Sequence, residues 1–402
     1  MVTLSSIFLK LCGLFISIFI VRFIPKAAFG NIAFAMSFIG IVSVFGGLGS
    51  NWSLLRFGAL LESYSQKFSM FKFSIKNGTI FNIFLFGILV VVSFFLPKNV
   101  EKAQVYLIVL ALGLFTKFLF ESLLSYFRIM NKNGIYSKSN TYSSLLLVAF
   151  TCGLTYLFSG VGYTVAIVVT PLCSFLLFRK HILFRKNRRA SFSVPKGEYY
   201  RYGIYTGFGM VANQLIISSG GMLAGFLGAN NSDIAMFKVA TIIPFNLMFI
   251  PVMVMTTDFV HFSKNQDKSQ ILLDYYWNYL KTITMICLVP FAVFVLFNRE
   301  FITLLFGRKY MDVANMSIYL TIAIFFSFLF RIPLGNMLSA VGKANWNVVH
   351  SVIWLILFIP LTTVLFHHFG IEGIAMSISF VIIASGFVSL ILFYKYLSII
   401  KG

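Results

Sequence analysis

The sequence predicts an all-α, polytopic membrane protein of twelve transmembrane helices in two sets of six. Three observations predict it: a strongly apolar composition, a nearly continuous series of apolar runs of membrane-spanning length, and basic residues gathered in alternate loops. Of 402 residues, 59% are hydrophobic and 11% charged, with a mean hydropathy of +0.91. Soluble domains carry about 25% charged residues. Water would not tolerate the surface this composition makes.

A helix that crosses the hydrocarbon core needs about 20 mostly apolar residues. Apolar runs bounded by polar breaks fall at 3–24, 29–49, 79–97, 104–127, 139–159 and 162–182, and again at 202–228, 232–257, 277–298, 314–338, 346–367 and 371–397. The first run follows no basic segment and ends at no small-residue cleavage site, so it reads as a retained helix. Pro244 and Pro251, with Asn246 between them, predict a broken or kinked eighth helix.

The net charge of +21 would suit a nucleic-acid binder if the cations formed one patch. They do not. With the N-terminus placed in the cytoplasm, 21 of the 32 Lys and Arg fall in inside loops or the tail and 7 in outside loops, the asymmetry of a positive-inside topology with both termini cytoplasmic. The longest basic segment, RKHILFRKNRRASFSVPK from Arg179, reads as a topology anchor on an anionic leaflet. It divides the chain into an N-terminal six-helix lobe at 1–178, a cytoplasmic linker at 179–201 and a C-terminal six-helix lobe at 202–402.

Weak internal similarity accompanies that division. FLFESLLSYFRIMNKN begins at Phe118 and FLFRIPLGNMLSAVGK at Phe328, each late in the fourth helix of its half, and NIAFA at Asn31 parallels DIAMF at Asp233. This alignment puts Glu121 and Arg331 in corresponding places. Parallel repeats with a substrate path between them are a common transporter plan.

No nucleophile constellation, no catalytic carboxylate pair and no GxxxxGK[ST] loop occurs, so neither group transfer nor ATP-driven pumping by this chain is supported. Cys12, Cys152, Cys173 and Cys287 lie in apolar stretches without metal-ligand spacing, and no cofactor is implied. The chemistry-bearing residues are the ionisable groups inside spans: Lys10, Lys117, Glu121, Lys238 and Arg331. A charge at helix centre costs about 2.5 to 3.5 kcal/mol on insertion scales, so each calls for a cavity, a partner or a function. Four of the five are cationic, and a cationic lumen attracts an anion, with phosphate the natural choice. Plainer readings stand beside this one. Lys117 and Glu121, four apart, can neutralise each other, and Lys10 and Lys238 can snorkel to a membrane face. Asn213 and Gln214, in mid-helix, either join helices or meet a polar substrate. Arg331 has no acidic neighbour on its own helix and is the foremost candidate.

The stretch IVRFIPKAAFGNIAFAMSFIGIVSVFGGLGSNWSLLRF, from Ile20 to Phe57, resembles the first helical hairpin of bacterial polysaccharide flippases in the multidrug/oligosaccharidyl-lipid/polysaccharide exporter superfamily. Arg22 ends the first helix, Phe29 and Gly30 open the second, and Gly49 leads to a basic loop with Arg56. The resemblance implies a V-shaped, MATE-like transporter whose cavity moves an undecaprenyl-pyrophosphate-linked oligosaccharide across the inner membrane for O-antigen, capsule or related polysaccharide, among membrane lipids and beside a polymerase and a chain-length regulator. It adds Arg22 and Arg56 to the candidate cavity residues. The sequence departs from relatives in LIISSGGMLAGFLG of the seventh helix, which lacks an acidic residue, and in a first helix without Asp or Glu. A carboxylate-coupled ion site in those helices is therefore in doubt. A MATE-type multidrug exporter is the alternative, and four cations against one carboxylate argue against it. A membrane polysaccharide polymerase would need a larger outside loop than the segment from Asn298 to Val313.

Overall fold

The computed structural model describes residues 2–100, 102–182 and 195–401, and no strand occurs among them. The helices are α1 (Val2–Phe23), α2 (Lys26–Val42), α3 (Ser50–Leu60), α4 (Tyr64–Ser93), α5 (Ala103–Ile129), α6 (Asn133–Phe178), α7 (Lys196–Phe226), α8 (Asn231–Leu247), α9 (Phe249–Lys264), α10 (Ser269–Leu296), α11 (Asn298–Phe306), α12 (Ala314–Phe326), α13 (Ile332–Ala340), α14 (Ala344–Phe369) and α15 (Ile371–Lys401). Among the described residues, nine helical stretches are long and apolar enough to cross a membrane. The chain forms two compact units, unit 1 at Met1–Ala235 and unit 2 at Met236–Gly402.

Two segments that hydropathy assigns to loops are helical. Between the second and third apolar runs the chain forms α3 and the first four turns of α4, which starts at Tyr64 rather than at residue 79. This stretch is amphipathic rather than apolar. Lys67 is buried there and donates from Nζ to the Ile129 carbonyl at 2.9 Å, closing the end of α5. The segment from Asn298, which the sequence reads as an outside loop, likewise forms the short helix α11. The expected break in the eighth helix is present, with Met248 separating α8 from α9 between the two prolines.

In unit 1, α2, α3 and the turn between them pack along α7. Glycine permits the approach. A Cβ on Gly49 would overlap the Gly203 carbonyl, and one on Gly30 would overlap the Asn231 carbonyl. Hydrogen bonds fasten the seam: Ser53 Oγ donates to Tyr199 O at 2.7 Å, and Tyr199 Oη donates to Ser50 O at 2.9 Å. Burial pushes the Tyr199 phenol up to about 12, so it stays a protonated donor at any physiological pH. At the other end of α7, Asn99 Nδ2 reaches the carbonyls of Gly225 and Ala229 at 3.0 and 2.7 Å.

The units repeat one backbone motif. After α5, Asn131 takes a positive φ of 56° and Lys132 N bonds to Phe127 O at 2.8 Å; after α13, Gly342 takes 81° and Lys343 N bonds to Leu338 O at 2.8 Å. These are matching left-handed helix stops. The helical path that follows each stop breaks alike, within α6 at Ser159 (φ 50°, ψ −130°) and between α14 and α15 at Gly370 (φ 57°, ψ −139°). Three residues on, Gly162 and Gly373 press against the carbonyls of Leu154 and Leu365 so closely that neither site has room for a Cβ. Every pair is 211 residues apart, as 342 is from 131, whereas Phe118 and Phe328 are 210 apart. A π-turn at Ser327–Arg331 holds one residue more than an α-turn and accounts for the difference. Past that turn, Ile332 rather than Arg331 stands in the place of Glu121, which corrects the alignment read from the sequence.

Candidate functional site

Unit 1 holds a cavity of about 470 Å³ where α2 breaks. The break lies at Gly46–Gly49: Gly46 is extended (ψ 128°), and Gly47, Leu48 and Gly49 all have positive φ, at 59°, 53° and 67°. Leu48 is strained there, since a side chain disfavours the left-handed region. Its surroundings hold it in place. Asn82 of α4 accepts from Gly47 N at 2.8 Å and donates to Leu114 O at 3.2 Å. A Cβ at Gly47 would strike the Phe118 ring. The reversal opens a gap against α5 and the start of α6.

One face of α5 supplies the charge. Lys117, Glu121, Leu124, Ser125 and Arg128 recur at helical spacing and all line the cavity. Lys117 Nζ lies 3.8 Å from Glu121 Oε1, and both side chains remain about half exposed. From α3, Asn51 Nδ2 approaches Glu121 Oε2 at 3.5 Å while its Oδ1 accepts from Ser122 Oγ at 2.6 Å. That second bond fixes the orientation of the amide. Arg128 lies exposed, its Cζ 5.7 Å from the Tyr136 ring, and Trp52 lines the same space with 42% of its surface exposed. Two cations face one carboxylate, beside an amide and two aromatic rings. Such a set can hold an anionic group and stack a ring or sugar face against it.

The other sequence-predicted residues lie elsewhere. Lys10 and Arg22 are exposed on α1. Arg56 is exposed on α3 with its guanidinium 4.8 Å from the Tyr202 ring. The side chains of Asn213 and Gln214 lie outside the described residues. Lys238 is half-buried on α8 in unit 2. Arg331, also in unit 2, closes the π-turn and is half-buried. Tyr279 and Tyr276 of α10 donate to the π-turn carbonyls of Phe328 and Leu329 at 3.0 and 3.3 Å. Gly386 lets α15 pack closely on the π-turn, since a Cβ there would sit 3.3 Å from Phe330 Cβ and 3.6 Å from Arg331 N.

Sequence reasoning brought Lys117 and Glu121 to the cavity and missed Asn51, Trp52, Arg128 and Tyr136. Arg128 was legible, because it continues the helical spacing of 117, 121 and 124. It stands just past the apolar run at 104–127, and hydropathy alone therefore reads it as a loop residue.

The sequence profile of a family described as "Polysaccharide biosynthesis protein" matches residues 19–315. No curated protein matches the chain. Among solved structures, an inward-facing multidrug resistance MATE family transporter of the MOP superfamily is similar, with TM-score 0.73 and 16% identity over 98% of this chain and 95% of that one. The lipid II flippase MurJ in its inward closed conformation is similar at TM-score 0.78 and 14% identity, over 99% and 89%. An outward-facing multidrug resistance MATE family transporter of the MOP superfamily gives 0.64 and 17%, over 99% and 94%. At such identities the likeness is one of fold.

Proposed function

We propose, because the chain belongs to the polysaccharide biosynthesis protein family, that it is a flippase for a lipid-linked oligosaccharide. One observation carries the reading: the family match at 19–315 takes in every residue that lines the unit 1 cavity, whose net charge is positive. The cargo is an undecaprenyl-pyrophosphate-linked repeat unit, its phosphates drawn to Lys117 and Arg128 and a sugar face resting on Trp52. Within unit 2, Arg331 is a further cation suited to a phosphate group. The step is translocation, with no covalent bond made or broken.

In this reading the protein lies in the bacterial inner membrane with both termini cytoplasmic, its functional halves are 1–178 and 202–402, and the basic 179–201 segment joins them on the cytoplasmic side. A polymerase and a chain-length regulator take the product on the far face. The fold is shared with multidrug transporters, but two cations against one carboxylate would repel a cationic drug.

Deleting the gene tests the class. The deletion strain should lose surface polysaccharide and accumulate the lipid-linked unit in the cytoplasmic leaflet, and Arg128→Gln should reproduce much of that loss at unchanged protein level. Normal surface polysaccharide with new drug sensitivity would instead assign the chain to drug export.

A further inference from the structure

His350 is a buried histidine on α14 that the cavity in unit 1 does not use, with 5% of its surface exposed. Its Nε2 accepts a hydrogen bond from Trp354 Nε1 at 2.9 Å, one turn along the helix. An indole N–H only donates, so Nε2 carries no proton and the neutral ring holds its N–H on Nδ1. Nδ1 is buried and meets no hydrogen-bond partner. Trp354 therefore fixes both the tautomer and the direction of a donor that meets no acceptor among the described residues. Buried donors are rarely left so, and one that is calls for an explanation.

Its position supplies one. α13 and α14 run antiparallel across the stop at Gly342, and Asn347 Nδ2 reaches the Gly335 carbonyl at 3.5 Å. One turn farther from that stop on each helix come Arg331 and His350. No Asp or Glu occurs between Asp312 and Glu372, so α12, α13 and α14 bring no carboxylate to this place. Tyr276 and Tyr279 hold the π-turn whose last residue is Arg331.

We propose that His350 Nδ1–H and the Arg331 guanidinium together grip phosphate oxygens within unit 2. The site rests on the flippase reading only for the source of the phosphate, the headgroup of an isoprenyl pyrophosphate. The binding chemistry is the same for a free pyrophosphate. His350 is a neutral donor, so it adds direction without adding repulsion to the nearby cation.

Trp354 is a built-in reporter. In a background carrying Trp52→Phe, Trp277→Phe and Trp346→Phe, it is the one remaining tryptophan of the four. The purified chain in nanodiscs is titrated with inorganic pyrophosphate and, separately, with farnesyl pyrophosphate. Saturable changes in Trp354 emission are expected with at least one of them. A response to both, or to the inorganic ion alone, marks a general phosphate site, and a response to farnesyl pyrophosphate alone marks a headgroup site. His350→Phe should weaken the response about 10- to 100-fold, the range for losing a hydrogen bond to a charged group, and His350→Asn, which restores an N–H, should recover part of it. Size-exclusion profiles establish that each variant is folded. Should neither probe change Trp354 emission, or should His350→Phe bind as tightly as the parent, the site is overturned and Nδ1 merely meets a buried water. A site that responds in a protein whose deletion strain accumulates no lipid-linked unit would stand while the flippase reading fell.

Discussion

In unit 1 the helix that leads to the stop at Asn131 is regular throughout and carries Lys117 and Glu121 four residues apart. In unit 2 the counterpart leading to Gly342 is interrupted by a five-residue π-turn that ends on Arg331. The frames match, down to the glycine pressed on a carbonyl eight residues back, and the handling of charge does not. Unit 1 meets the cost of a charge with a partner on the same helix face and an open cavity. Unit 2 meets it with geometry, adding one residue so that an arginine leaves the regular helical track. Repetition of a backbone thus leaves the chemistry of each copy free to differ.

The largest expected effect tests the shared frame. Gly162→Ala and Gly373→Ala should each sharply reduce the yield of folded, monodisperse protein, because the new methyl meets a backbone carbonyl that cannot turn aside. Equal losses support equivalence of the two bends, and tolerance at one site alone would break it.

Removing one residue from the π-turn, by deleting Ser327, comes next. It should convert α12 and α13 into one regular helix and restore a 210-residue spacing. Folded yield should survive while surface polysaccharide falls, because Arg331 loses its placement. Loss of the folded protein instead would make the extra residue a structural necessity.

Smaller effects follow from the tyrosine clamp. Tyr279→Phe and Tyr276→Phe should each lower stability in a detergent denaturation series by about 1 kcal/mol, the usual net worth of a hydrogen bond. The 3.0 Å bond of Tyr279 should matter more than the 3.3 Å bond of Tyr276. The reverse order would show that the π-turn leans on Leu329 rather than Phe328.

The smallest effect belongs to the ion pair of unit 1. A double-mutant cycle on Lys117→Met and Glu121→Gln should give a coupling below about 1 kcal/mol, as for other half-exposed pairs. A coupling of several kcal/mol would mean that the pair is shielded in the membrane, and would remove the contrast with Arg331.

Much of this architecture was legible in the sequence, and the rest was hidden for physical reasons. Hydropathy finds helix cores because lipid-facing turns must be apolar, and α5, α14 and α15 lie close to the apolar runs that mark them. It misses α3 and the start of α4, where Lys67 sits buried yet satisfied by the Ile129 carbonyl and so reads as loop charge. A π-turn leaves no trace in hydropathy, since one added residue changes register rather than composition. Lys117 and Glu121 announce themselves by their spacing. Trp52 and Asn51 reach the cavity only because the chain reverses at Gly47–Gly49, and His350 gains its interest from a tautomer that no sequence pattern encodes.

The seam between α2 and α7 has a mechanical consequence. Helices ordinarily lock together because side chains of one fill the grooves of the other, and sliding them requires those side chains to change rotamer. At Gly30 and Gly49 one backbone rests directly on another, Gly30 against the start of α8 and Gly49 against Gly203 of α7. Between those points the Phe34 and Phe38 rings meet Phe226, and Ser53 and Tyr199 donate hydrogen bonds across the seam. The seam is thus tight at its glycines and keyed at its side chains, so α2 and α7 move as one piece.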